Sequence, residues 1–336
     1  LPWALALLGV PASAVSPTLS IVAGDASPRR YFRFALGTSS YVLAEAPPAT
    51  EKNAAFVRIG ALLCDAGVKV PAVLGVDYDR GFLLLEDLGD RLLLPLLDAD
   101  SVDIQYRQAF TVLARMAAVD TVSTGLGDYD RALLREELGR FQEWFVERLL
   151  GYTVPEQEQA SLDKLLSQLI DSALEQPRVL VHRDFHSRNL MVSEDDELAV
   201  IDFQDAVVGP ITYDLVSLLR DCYIQWPAAR VQDWALAYHD LLHTQGLAAG
   251  VEQAQFLRWF DWMGLQRHLK VLGTFARLFL RDGKPAYLDD LPLVIRYVME
   301  ITARHAADEP AFADFHAWFA QRLSPLIARQ PWSGTP

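Results

Sequence analysis

The chain of 336 residues is 51% hydrophobic and 22% charged, with a formal net charge of −14 at pH 7. That balance excludes a disordered or fibrous chain and leaves room for two lobes with separate cores. The acidity argues against nucleic acid or an anionic membrane as a partner, so an anionic ligand must be met by local cations or a metal.

Residues 1 to 14, LPWALALLGVPASA, end in small residues as a secretory cleavage region does, but no basic residue precedes the apolar stretch. Trp3, Ala6, Leu7 and Val10 recur at i, i+3, i+4 and i+7, and a short amphipathic helix is the expectation. No run reaches the ~18 apolar residues that a membrane-spanning helix needs. Next come β-branched or aromatic runs at 19–24, 30–36, 40–45, 72–77 and 82–87, with a helical stretch near 51–66. They read as a small antiparallel sheet carrying one helix. Cys64 and Cys222 fit neither a disulfide framework nor a CxxC zinc pattern, and are expected as reduced thiols of a cytoplasmic protein.

Beyond residue 88 helical periodicity takes over. In RALLREELGRFQEWFVERLL, Leu134, Leu138, Phe141, Phe145 and Leu149 repeat every three or four residues. The exception is 179–202, where VLV, LMV and ELAVID read as short strands, the last two joined by the turn SEDDE. The expected fold is α+β in two lobes, a sheet-bearing lobe over 1–88 and a mainly helical lobe over 89–336.

Seven hydrogen-bonding side chains sit between aliphatic flanks in VHRDFHSRNLMV (181–192), a loop anchored at both ends by strands. His182, Arg183, Asp184 and Asn189 give H-R-D, four residues and N, and thirteen positions later comes Asp202 in VIDFQD. That is the spacing of a phosphotransfer site. Asp184 would hold and deprotonate an acceptor hydroxyl, while Asn189 and Asp202 offer hard oxygens to the Mg²⁺ that bridges the phosphates of ATP. The strand anchors matter because a displacement of about an ångström can cost ~100-fold in rate. His182 reads as a buried brace of the loop as readily as a substrate contact. Gly209, Pro210 and Asp214 fall within twelve residues of Asp202, leaving no room for the long activation segment on which protein kinases seat a protein substrate. A small acceptor is the expectation.

VHRDFHSRNLMV, VIDFQDAVVGPITYDLVSLLRD and the two-lobed layout resemble the aminoglycoside phosphotransferase and choline kinase-like superfamily. GDASPRRYFRF (24–34), LLLEDLGD (83–90), RDCYIQWP (220–227) and GLQRHLKVLGTFARLFLRDGKPAYL (264–288) are similar, within it, to the bacterial anomeric amino-sugar kinases of cell-wall recycling. The resemblance implies a phosphate-covering turn with Ser27 and cations from Arg29, Arg30 or Arg33, and a hinge whose backbone from Glu86 to Leu88 faces adenine. It implies that Asp214 braces the catalytic loop. Candidate sugar-binding residues are His186, Asp205, Asp221, Tyr223 and Arg267, the last a cation suited to a lactyl carboxylate, with Lys270 as a second choice.

Two departures stand out. SYVLAEAPP lacks the lysine that kinases place on the third strand, so Arg30 or Arg33 would substitute, and DFQ replaces DFG. A kinase for another small acceptor, or an inactive nucleotide-binding scaffold, remains open at this point.

Overall fold

The computed structural model describes residues 1–11, 13, 15–23 and 29–334. Along the chain run α1 (Pro2–Leu7), β1 (Ser20–Ala23), β2 (Arg30–Leu36), β3 (Ser39–Glu45), α2 (Asn53–Asp65), β4 (Val73–Asp77), β5 (Phe82–Glu86) and α3 (Val102–Ala117). Then come α4 (Arg131–Arg140), continued by π-helical turns over Phe141–Leu149, α5 (Glu156–Leu174), β6 (Arg178–Val181), β7 (Leu190–Val192), β8 (Leu198–Val200), β9 (Val207–Pro210) and α6 (Tyr213–Leu219). The C-terminal part holds α7 (Ala228–Thr244), α8 (Gln253–Asp282), α9 (Leu291–His305), α10 (Pro310–Trp318) and α11 (Ser324–Ile327).

Two compact units form, one of Leu1–Met116 with Arg188–Ala206, the other of Ala117–Ser187 with Val207–Pro336. The partition therefore does not fall at residue 88. Residues 89–116 pack with the sheet, and so does the hairpin that carries Asn189 and Asp202.

In the first unit the sheet order is β1-β2-β3-β5-β4, with every neighbouring pair antiparallel. Gly81, at φ +69°, makes the turn before β5, and a side chain there would meet the Ala46 carbonyl at 2.1 Å. α1 covers the sheet by burying Ala4 and Leu5 against Phe34, Leu43 and Leu84. Of the expected stripe, Trp3 and Val10 pack against this cluster and the half-exposed Leu7 lies against Gly75 of β4, while Ala6 is exposed. α2 buries Phe56, Ile59, Gly60 and Leu63, the i, i+3, i+4, i+7 stripe of an amphipathic helix. The β7–β8 hairpin belongs to this unit through bonds from Val200 N–H to Lys69 O, Leu93 N–H to Leu190 O and Val192 N–H to Arg91 O, each 2.8 Å.

In the second unit α8, of 30 residues, is the central helix, and most of its residues from Phe256 to Leu278 are buried. β6 pairs antiparallel with β9, a strand that VVGP did not advertise in the sequence. Among the described residues no helix is long and apolar enough to cross a membrane. Cys64 and Cys222 are free thiols, the first exposed and the second buried.

Candidate active site

The loop after β6 adopts a conformation that its residues do not favour by themselves. Arg183 has φ 78°, a left-handed backbone uncommon outside glycine. Asp214, in the first turn of α6, holds that bend by accepting the His182 N–H at 2.6 Å and the Arg183 N–H at 3.0 Å. His182 is buried and its Nδ1 accepts the Asp184 N–H at 3.2 Å. Burial, helped by Asp184, pushes the Asp214 carboxyl up to about 6, against the opposing pull of His182 and the two N–H donors.

The Arg183 side chain turns to Glu137 of α4, a fully buried carboxylate. Glu137 also accepts the Tyr129 hydroxyl and faces Lys270 Nζ at 3.3 Å. Lys270 in turn donates to the Tyr213 hydroxyl at 2.8 Å, and Gln266 donates to the Tyr129 hydroxyl at 3.2 Å. This network anchors the loop from below, and the sequence reading passed over Glu137. The signal was present: Leu134, Glu137, Leu138 and Phe141 are spaced i, i+3, i+4, i+7, which puts a carboxylate on the apolar stripe, and a buried carboxylate needs cationic partners.

Asp184 sits above these cations. Burial alone would raise its carboxyl, but Lys270, then His186, Arg267 and Arg183, lower it to about 2, so it is ionised at neutral pH. His186 meets the Tyr223 ring edge-on, with centroids 5.3 Å apart. Burial, aided by Arg267, lowers the His186 imidazole against Asp221 and Asp184, and leaves it neutral at pH 7. Buried Arg267 approaches Cys222 Sγ at 3.5 Å and stays cationic. The second unit therefore brings Asp184, His186, Tyr223 and Arg267 together.

Asp221 joins them in a different capacity from the one expected. It is fully buried, one oxygen accepting both the Ser187 N–H (2.9 Å) and hydroxyl (2.5 Å), the other the Tyr223 N–H at 3.2 Å. It ties down the end of the loop that carries Asp184. A cavity of about 660 Å³ in this unit, lined by Arg220, Trp226, Val231, Tyr297, Ile301 and Arg304, includes neither Asp184 nor His186 among its walls. It is not the reacting centre.

In the first unit Asn189 and Asp202 stand at neighbouring strand ends, where Ile201 N–H donates to Asn189 O at 3.1 Å. Asp202 has φ 65°, again left-handed, and the next residue, Phe203, stacks on Phe56 at 4.7 Å, which locks the turn onto α2. Asp202 Oδ1 accepts Gln204 Nε2 at 2.7 Å. One carboxylate and one amide suit a hard cation that keeps waters and takes its remaining ligands from phosphates. Among the described residues no group of three His, Cys, Asp or Glu forms a protein cage for a metal. The residues fit Mg²⁺ in the company of a nucleotide.

Other expectations in this unit are corrected. Arg30 is exposed and pairs with Glu45. Arg33 binds both oxygens of Asp87 (2.6 and 2.9 Å), both of Asp90 (2.9 and 2.8 Å) and Gly89 O (3.0 Å), so its donors hold the segment after β5. Glu86 exchanges bonds with Ala72, giving its N–H to Ala72 O and accepting the Ala72 N–H at 3.1 Å, and that donor is not offered to adenine. Leu88 is half-buried within the segment that Arg33 holds. Asp205 lies in the first unit, bound to Lys52 at 2.6 Å, whereas the other proposed sugar contacts lie in the second. Ser27 lies outside the described residues.

Comparison with known proteins is consistent with this chemistry. The family model described as phosphotransferase enzyme family matches residues 18–257. The N-acetylmuramate/N-acetylglucosamine kinase of Pseudomonas putida is 44% identical over 85% of this chain and 84% of its own length. Its counterpart in Neisseria meningitidis is 38% identical, over 88% of this chain and 89% of its own. The ethanolamine kinase of Plasmodium vivax superposes with a TM-score of 0.63 at 10% identity, covering 84% of this chain and 82% of that one, a likeness of fold.

Proposed function

Because the chain belongs to the phosphotransferase enzyme family, we propose that it transfers the γ-phosphoryl group of ATP to the anomeric hydroxyl of N-acetylmuramate or N-acetylglucosamine. The acceptor is read from relatives that carry this activity in their names. The phosphotransfer itself rests on one observation, an ionised Asp184 on a strained, doubly braced loop beside Lys270, His186 and Arg267. Such a kinase would serve peptidoglycan recycling in the cytoplasm.

Asp184 accepts the hydrogen bond of the C1 hydroxyl and points its oxygen at the phosphorus. The new O–P bond forms as the bond to the ADP leaving oxygen breaks, and the proton of the C1 hydroxyl passes to the Asp184 carboxylate. With its pKa near 2, Asp184 is a weak proton sink in the ground state. Its work is alignment, and the proton moves once bonding to phosphorus has acidified the hydroxyl. Bound through Asn189 and Asp202, Mg²⁺ would neutralise charge on the phosphates. Arg267 and Lys270 supply positive charge beside the acceptor, which fits an anionic lactyl group.

Release of ADP is the test, measured across N-acetylmuramate, N-acetylglucosamine, an aminoglycoside and choline, with ³¹P NMR of the product. Turnover confined to the two amino sugars, with phosphate on C1, is expected. Phosphate on another hydroxyl, or turnover with choline alone, would overturn the acceptor assignment.

A further inference from the structure

The two departures from kinase pattern, a third strand without lysine and Gln204 in place of the D-F-G glycine, meet in the first unit at one side chain. Arg29 is only 5% exposed. Its Nη2 lies 3.0 Å from Glu51, two residues before α2, and its guanidinium lies over Phe56 at 5.4 Å. Its Nη1 donates to the Tyr31 hydroxyl at 3.2 Å and to Gln204 Oε1 at 3.3 Å. The other end of the same amide donates to Asp202 Oδ1 at 2.7 Å. Glu51, Arg29, Gln204 and Asp202 thus form an unbroken polar chain, with Phe56 under Arg29 at one end and under Phe203 at the other.

We propose that Glu51, Arg29 and Gln204 are a positioning relay for Asp202, which sets one carboxylate oxygen by hydrogen bond so that the other is presented to the nucleotide-bound Mg²⁺. The proposal rests on the phosphotransfer reading above and adds a reason for both departures. A glycine at 204 has no side chain with which to reach Asp202. A lysine at the usual strand position is dispensable as the partner of the helix-side glutamate once Arg29 fills that part. An amide is the group the relay requires, because it accepts from a guanidinium at one end and donates to a carboxylate at the other.

Retention of Mn²⁺ in the presence of ADP, read from loss of the free Mn²⁺ EPR signal, needs no acceptor sugar and no turnover. Gln204→Gly is expected to weaken Mn²⁺ retention about tenfold while ADP binding without metal changes little. Arg29→Met with Glu51→Met, which removes both charges together, should do the same. Adding Gln204→Gly to that pair should cost no more than about twofold further, since one chain is broken only once. Circular dichroism and urea midpoints confirm that each variant is folded, and Gln204→Ala serves should the glycine loosen the turn. Unchanged retention in Gln204→Gly and Gln204→Ala, or losses that add in full, would overturn the relay alone. A wild-type protein that holds no Mn²⁺ with ADP would overturn the metal assignment and the relay with it.

Discussion

Asp184, half-buried, and Asp214, buried, are two carboxylates at one bend, and their surroundings drive their pKa values apart. Cations lower the first to about 2, while burial raises the second to about 6. Replacing Asp184 with Asn keeps the shape and removes the charge, so kcat should fall by about 10³-fold with ADP affinity within twofold by calorimetry. Full turnover in Asp184→Asn would remove it from the reaction. An acid limb of the rate profile is expected from Asp214. Because its folded-state value is raised from an ordinary 3.8, the native protein takes up a proton there that the unfolded chain does not. Protonation at Asp214 favours the folded form, and this contribution is full below pH 3.8 and fades as pH rises through about 6. Activity runs the other way, since the protonated carboxyl is a poorer acceptor for the two N–H groups that hold Arg183. Between pH 7 and 5 we expect kcat to fall with a midpoint near the 6 of Asp214 while the urea midpoint does not fall from this group. In Asp214→Asn that limb should vanish from a profile about tenfold lower overall. A wild-type profile flat down to pH 4 would refute the assignment.

Among the elements, α8 carries the most constraint. A Cβ at Gly273 would lie 2.3 Å from the Arg140 carbonyl group and 2.6 Å from Phe141 N, where α4 passes into its π-helical turns. Backbone cannot yield as a flexible side chain can, so Gly273→Ala should cost about 1–3 kcal/mol in urea unfolding. A loss under about 0.5 kcal/mol would mean that the two helices separate freely. The five strands of the first sheet were legible because alternation and turn residues agree along them, and their ends fall within a residue or two of the expected runs. β9 was not, since VVGP is four residues ending in Gly-Pro and owes its pairing to β6, 29 positions earlier by the Arg178–Val207 starts. The π-helical turns escaped because Phe141, Phe145 and Leu149 satisfy an α period equally well. Motif spacing made Asp184, Asn189 and Asp202 visible. Which arginine of Arg29, Arg30 and Arg33 faces the site depends on how β2 begins, and β1 meets it across a register shift at Ile21/Ala23 that no local pattern encodes.

For the whole molecule the net charge of −14 opposes the approach of an anionic nucleotide, whatever the local cations do once it arrives. Screening should therefore speed association. Between 10 and 150 mM NaCl the on-rate of a fluorescent ADP with Mg²⁺, followed by stopped flow, should rise about twofold, the reverse of a positively steered enzyme. A rate that falls with salt would show that the local cations govern the encounter.

The assignment of Arg188–Ala206 to the unit built from the first 116 residues has a bearing on inheritance. Lys69, Arg91 and Leu93 supply backbone partners to a hairpin about a hundred positions downstream. A gene crossover between two relatives at residue 88, or even at 116, would marry one parent's sheet to the other's Asn189 and Asp202. Viable chimaeras must carry 1–116 and 188–206 from the same parent, as two cassettes inherited as one, while Asp184 travels with the other.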